Sequence, residues 1–221
     1  MRGMTLGLLV AIAAVMPLSA DLGKDEIKRV DEAATVLKEI HAVPDKDIPQ
    51  DLWEKAACVM VIPGLKKAAF IVGGEYGKGL MSCRRGNEWS APVFMKLAKG
   101  SWGLQIGAQS IDLVLLVMNE GGVDKMLNNK VTLGAEASVA AGPVGRDTRA
   151  GTDAQLKAQI LAYSRTQGLF AGIDISGGVL QPDDDDNKAL YGNVSPKEAL
   201  KGATKPPAAV SSFMAALRRN S

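Results

Sequence analysis

The residues able to do chemistry are few and widely spaced. One histidine, His41, occurs among 221 residues, so a catalytic triad, a zinc site or an imidazole relay would have to be built on it. Its place on the apolar stripe of a helical pattern favours packing or capping instead. Gly73-Gly-Glu-Tyr-Gly-Lys-Gly79 has the outline of a phosphate loop. However, Gly73 and Gly77 stand too close, and Gly79 occupies the position of the Ser/Thr that would hold magnesium. A glycine-rich hairpin fits it better. Asp183-Asp-Asp-Asp-Asn187 has calcium-type ligands without the glycine and distant glutamate of an EF-hand loop. As a helix start it offers a cap and complements the dipole. Asp174 and Asp183 make no diagnostic acid–base pair. No catalytic residue, metal-ligand set or cofactor is expected.

The cations are more suggestive. Lys66, Lys67, Lys78, Arg84 and Arg85, with Lys96 and Lys99, fall at expected turns or strand ends. If those ends lie together, the patch can meet an anionic lipid headgroup through charge-assisted hydrogen bonds. The alternative is a solvated surface. A net charge of +2 gives no bulk argument for nucleic acid. Cys58 and Cys83 are compatible with one disulfide in an oxidising compartment, or with two buried thiols behaving as small hydrophobes.

The elements that must position these groups centre on residues 100–151. Trp102 to Ala108 alternates as a strand with one buried face, and Ile111 to Met118 is apolar enough for a strand buried on both. Asn119-Glu-Gly-Gly breaks it before one short helix ending near Asn128-Asn129. Small-residue alternation resumes from Val131 to Gly142. Glycine at this density in strand-like sequence signals bulges, sharp bends or close backbone approach. Upstream, residues 24–41 form an amphipathic helix, with Ile27, Val30, Ala34 and Leu37 on its apolar stripe and Arg29 among its polar cover. A second short helix starts near Asp51. A meander follows: Cys58 to Ile62 stops at Pro63-Gly64, a hairpin turns at Gly77-Lys78, and Gly86-Asn87 turns before Trp89 to Leu97. Gly168 to Ser176 is a further strand. Short helices are expected over 183–191 and 195–201, and a last one follows Pro206-Pro207.

Residues 1–20 have the form of a secretory signal peptide: Arg2, an apolar run from Leu6 to Val15, and Ala20 before Asp21. The run is too short for an ordinary transmembrane helix; an uncleaved anchoring segment is the alternative. Export to the periplasm or medium, with membrane association, is the expected location. Residues 21–221 are expected to form a single domain with its core over about 24–202 and a C-terminal helix. The expected fold is α+β: a bent, Gly-rich antiparallel β-sheet or partial barrel with flanking short helices.

Several longer stretches occur together and in order. They are Ile48-Pro-Gln-Asp-Leu-Trp-Glu-Lys-Ala56, Cys58-Val-Met-Val-Ile-Pro-Gly-Leu-Lys-Lys-Ala68, Val72-Gly-Gly-Glu-Tyr-Gly-Lys-Gly79 and Trp89-Ser-Ala-Pro92. Further on come Gly103-Leu-Gln-Ile-Gly-Ala-Gln109, Met118-Asn119, Ala137-Ser-Val-Ala-Ala-Gly-Pro-Val-Gly-Arg146 and Tyr163-Ser-Arg-Thr-Gln-Gly-Leu-Phe-Ala-Gly172. Together they resemble the SYLF-domain family, over about residues 24–202. The resemblance implies a lipid-binding module, with phosphoinositide binding in animal members, actin binding or bundling in yeast members, and exported bacterial members. The leading expectation is a non-enzymatic exported module that recognises anionic phospholipid at a membrane surface. The alternative is an envelope protein-interaction or structural module, of the actin-binding type in eukaryotic relatives.

Overall fold

In the computed structural model, the structure describes residues 22–40, 47–69, 72–102, 107–128, 130–145 and 157–220. Helix α1 (Lys24–Lys38) and the short α2 (Gln50–Lys55) precede a meander of β1 (Cys58–Ala69), β2 (Val72–Arg85), β3 (Glu88–Trp89), β4 (Val93–Trp102) and β5 (Gly107–Val117). Helix α3 (Glu120–Asn128) leads into β6 (Val131–Thr132), β7 (Val139–Ala141), β8 (Ile160–Thr166), β9 (Leu169–Gly172) and β10 (Val179–Pro182). Three helices close the chain: α4 (Asp184–Tyr191), α5 (Pro196–Leu200) and α6 (Ser211–Arg219).

The strands form one curled half-barrel in the order β6-β10-β4-β2-β1-β5-β8-β7, with β3 beside β2 and β9 beside β8. The expected α+β class and bent sheet are what is found. The sheet is mixed rather than wholly antiparallel, because β7 runs parallel to β8.

Apolar residues cover both sheet faces, which is why the central strands read as near-continuous hydrophobic runs. On one face Val59, Val61, Leu80, Phe94, Val114, Leu116 and Tyr163 pack with Leu37 of α1 and Phe213 and Leu217 of α6. On the other face Met60, Ile62, Leu65, Met81, Met95, Leu113 and Leu115 pack with Met126 of α3 and Leu200 of α5. Helices α1 and α6 are also tied by polar contacts: Ser212 Oγ donates to Asp31 Oδ1 at 2.8 Å, and Asn220 Nδ2 donates to the Leu37 carbonyl at 2.7 Å.

Two expected turns are absent. Strand β1 does not stop at Pro63-Gly64 but bulges there: its register against both neighbours shifts by one residue between Val61 and Lys66. Gly64 has φ 58°, and its N–H is received by Asp112 Oδ1 at 2.9 Å. The extra residue keeps Leu65 in the core shared with α3 and α5 although it is odd-numbered like Val61, which faces α1 and α6. Nor does the chain turn at Gly77-Lys78, since β2 runs unbroken from Val72 to Arg85. The glycines there serve close approach. A Cβ on Gly79 would lie 2.0 Å from the Val61 carbonyl oxygen, and one on Gly77 would lie 2.5 Å from Ile62 Cγ2. Helix α1 ends at Lys38, short of the expected residue 41. His41 and residues 103–106 of the expected Trp102–Ala108 strand lie outside the described residues, as do residues 1–20.

Candidate functional site

Helix α1 packs across the middle of β1 and β2 beside the bulge. Between them lies an open cavity of about 580 Å³. Its walls include Lys28 and Arg29 from α1, Lys66 from the post-bulge stretch of β1, Tyr76 and Lys78 from β2, and Ser110 from β5. The bulge places Lys66 in the same row as its register partners, Tyr76 on β2 and Ser110 on β5. Lys66 is exposed, and Tyr76 is 49% exposed. A rigid strand pair therefore presents an ammonium and an aromatic ring together at the cavity rim.

Deeper in, the charges satisfy one another. Lys78 Nζ lies 2.6 Å from Asp183 and 3.2 Å from Asp186, Arg29 lies 3.0 Å from Asp186, and Lys96 stands 3.9 Å from Asp183. Burial alone would lower the Lys78 pKa, but hydrogen bonds to and charges on the two carboxylates together outweigh it and raise the value. Burial, reinforced by the neighbouring Asp183, pushes the Asp186 carboxyl up against the opposing pull of Lys78 and Arg29. This cluster joins α1, β2, β4 and α4. Its geometry suits a structural lock.

The acidic run at 183–187 starts a helix as expected, with Asp184, Asp185 and Asp186 in the first turn where they complement the dipole, but the expected side-chain cap is not formed. Asp183 occupies the N-cap position of α4 without a side-chain capping bond; its carboxylate turns to Lys78. Asn187 receives the Phe94 N–H at 2.8 Å and donates to the Phe94 carbonyl at 2.8 Å, so its amide extends the β4 ladder beyond β10. Among the described residues no group of His, Cys, Asp or Glu could hold a metal ion.

The other expected headgroup cations separate. Lys67 pairs with its cross-strand neighbour Glu75 at 3.2 Å. Arg84 and Arg85 lie at the far end of β2. The Arg84 guanidinium stacks 4.4 Å from the Trp89 ring centre and donates to the Trp53 carbonyl at 3.2 Å, while burial lowers its pKa. Arg85 Nε donates to the Leu200 carbonyl at 2.8 Å. Of the five cations singled out, Lys66 and Lys78 share the cavity; Lys67 is tied to Glu75, and the two arginines stand elsewhere. Cys58 and Cys83 are register partners joined as a disulfide.

Sequence reasoning passed over Arg29, Asp112, Arg165 and Glu39. Arg165 on β8 bridges Asp112 on β5 and Glu39 at the end of α1. A lone acid opening the apolar run from Ile111 was the available signal for Asp112. Arg29 gave none, because a buried arginine and a solvated one look alike on a helical wheel.

A family model described as Ysc84, the Las17-binding protein actin regulator, matches residues 98–220. The chain belongs to the Ysc84 family. This is the SYLF-domain group that the motifs resemble. Among similar proteins, an SH3 domain-containing protein of Schizosaccharomyces pombe is 37% identical over 155 residues, covering 68% of this chain and 36% of that protein. LAS seventeen-binding protein 3 of Saccharomyces cerevisiae is 33% identical over 171 residues, covering 75% of this chain and 37% of the relative. SH3 domain-containing YSC84-like protein 1 of Xenopus laevis is 32% identical over 183 residues, covering 80% and 53%. The chain thus spans between about a third and about a half of the length of these relatives, at 36%, 37% and 53%. They are fungal and animal proteins and lend no support to the expected bacterial exported membership.

Proposed function

We propose that this chain is a non-catalytic binding module that engages a protein of the actin-regulatory machinery, as the descriptions of its Ysc84 relatives suggest. The observation that carries this reading is the match to a family described by Las17 binding and actin regulation. The Lys66–Tyr76 rim supplies the physical contact: paired strands hold an exposed ammonium beside an exposed ring, a combination suited to an acidic protein surface. Export by residues 1–20 is a separate proposal, tested by whether the chain appears in the medium or periplasm with that segment removed.

The cavity behind the rim favours a second reading, in which Lys66 and the Tyr76 ring meet an anionic phospholipid headgroup. Co-sedimentation of the full chain, first with actin filaments and then with anionic vesicles, each at low and high salt, separates the two. Filament binding with no vesicle binding supports the first; the reverse supports the second. Binding to neither at low salt overturns the lipid reading and rules out the filament as the protein partner.

A further inference from the structure

A second cavity, of about 350 Å³, opens at the opposite end of β1 and β2 from the bulge. Its lining includes both halves of the Cys58–Cys83 disulfide, the apolar side chains Val123 and Leu127 of α3, and the charged residues Arg84, Arg85, Asp124 and Lys201. Three features of this arrangement point the same way. The disulfide joins neighbouring central strands whose side chains on the same face, Met60 and Met81, continue the packing inward, so opening the bond leaves the surrounding core in place. The cavity's one carboxylate, Asp124, is held by Lys197 of α5 at 3.3 Å. Arg85 is fixed by its bond to the Leu200 carbonyl, and Lys201 is exposed at the C-terminal end of α5, where cations face the negative end of a helix.

We propose that this cavity is a thiol–disulfide exchange site selective for small thiols that carry carboxylates. The carboxylates pair with Arg85 and Lys201, and the apolar wall of Val123 and Leu127 takes the carbon skeleton. The thiolate of the ligand attacks one sulfur of the Cys58–Cys83 bond. A new bond forms between the ligand sulfur and that cysteine, the protein S–S bond breaks, and its electron pair leaves on the other cysteine as a thiolate. A second equivalent of the same thiol completes the reduction by attacking the mixed disulfide, which releases the ligand as its own disulfide. The two electrons come from the thiol. Cation-lined sites stabilise a departing thiolate and concentrate an anionic attacker. Cys58 and Cys83 are almost fully buried, so the cavity is the route of approach and its charge decides which thiols use it.

The test uses the folded full chain in its oxidised form. Mercaptosuccinate and the neutral 3-mercapto-1,2-propanediol are each added in native buffer, and the mixed disulfide is followed by intact mass. The same two thiols are run against a small neutral disulfide, which fixes their intrinsic rate ratio. We expect the protein to favour mercaptosuccinate by about three- to tenfold over that reference ratio, an electrostatic preference that shrinks as salt is raised. Lys201→Glu, at an exposed site, should abolish the preference, and Asp124→Asn should enlarge it. A protein ratio equal to the reference ratio, an unchanged preference in Lys201→Glu, or no exchange until denaturant is added would each overturn the proposal.

Discussion

Gly64 donates its backbone N–H to one carboxylate oxygen of Asp112, and Arg165 Nη1 donates to the other. One side chain on β5 thereby holds the bulge of β1 on one side and its register partner on β8 on the other. Because the bulge decides that Leu65 enters the core beneath α3 and α5 and that Lys66 reaches the cavity rim, Asp112 links the sheet's register to the surface it presents.

Replacing Asp112 by Ala should therefore act beyond a single lost bond. Gly64 loses its acceptor, and Arg165, only 15% exposed, keeps Glu39 alone as a charged partner. The expected loss is about 2–4 kcal/mol, combining a charged hydrogen bond with a partly buried cation left short of a partner. Asp112→Asn retains an acceptor for Gly64 and should cost about half as much. Urea unfolding reads both, and an unchanged midpoint in Asp112→Ala would refute the bulge-anchor role.

The charge lock makes stability depend on pH in a specific direction. Burial, followed by the proximity of Asp183, raises the Asp186 pKa above its unfolded value of 3.8. Between that value and the raised one, the native state binds more protons than the unfolded state. The Asp186 contribution is thus fully present below the unfolded pKa and is lost as pH rises through the folded one. Asp174 acts in the opposite sense: hydrogen bonds from Ser176 hold its carboxyl below the usual range, so its contribution is present above the unfolded pKa and lost as pH falls through the folded one. Asp186→Asn should remove the first component only. Urea titrations of the parent and Asp186→Asn between about pH 4 and pH 7, the window just above the ordinary carboxylate pKa, should show a smaller fall in stability with rising pH in the variant. Parallel curves would rule out Asp186 as the source.

Much of the fold was legible because periodicity reports burial. The run from Ile111 to Met118 reads as a strand buried on both faces and Cys58 to Ile62 as a strand, and Val30, Ala34 and Leu37 mark the inner face of α1, whereas Ile27, on the same expected stripe, is 44% exposed. What misled was glycine, which marks turns and close packing with the same letter. Gly77-Lys78 reads as a hairpin turn in sequence, yet Gly77 and Gly79 let β1 pass within contact of β2. The bulge at Pro63-Gly64 was hidden by the same ambiguity. The cation patch was only half legible. Lys66 and Lys78 do converge, but which cations are neutralised depends on partners over 100 residues away in sequence, such as Asp183 and Asp186, and spacing along the chain carries no trace of that pairing.

The Cys58–Cys83 bond closes a loop with a sequence separation of 25. In the chain-entropy description such a link stabilises by about 3 kcal/mol, mainly through the unfolded state. The double variant Cys58→Ser, Cys83→Ser should fold, because the register of β1 against β2 is also held by its backbone ladder, and should melt about 6–12 °C lower. Thermal scans of the parent with and without reductant supply the control. If reduction leaves the melting temperature unchanged, the bond contributes nothing to native stability.

Lys66 and Lys78 share one cavity but should separate cleanly by effect. Lys66 is an exposed rim cation, so Lys66→Glu should leave the urea midpoint within about 0.5 kcal/mol of the parent, as is usual for surface changes. The same change should weaken binding to an acidic filament or an anionic vesicle by about three- to tenfold, mostly at low salt. Lys78→Gln does the opposite. It leaves Asp183, whose side chain is 2% exposed, with only Lys96 at 3.9 Å, and deprives Asp186 of one of its two cations. A loss of about 2–3 kcal/mol is expected, reduced from the full cost of breaking a buried pair because Lys96 and Arg29 remain. Binding by the folded fraction of Lys78→Gln should be close to that of the parent, since its ammonium is already committed within the protein. Equal losses of binding in both variants would mean that the ligand reaches past the rim and breaks the lock.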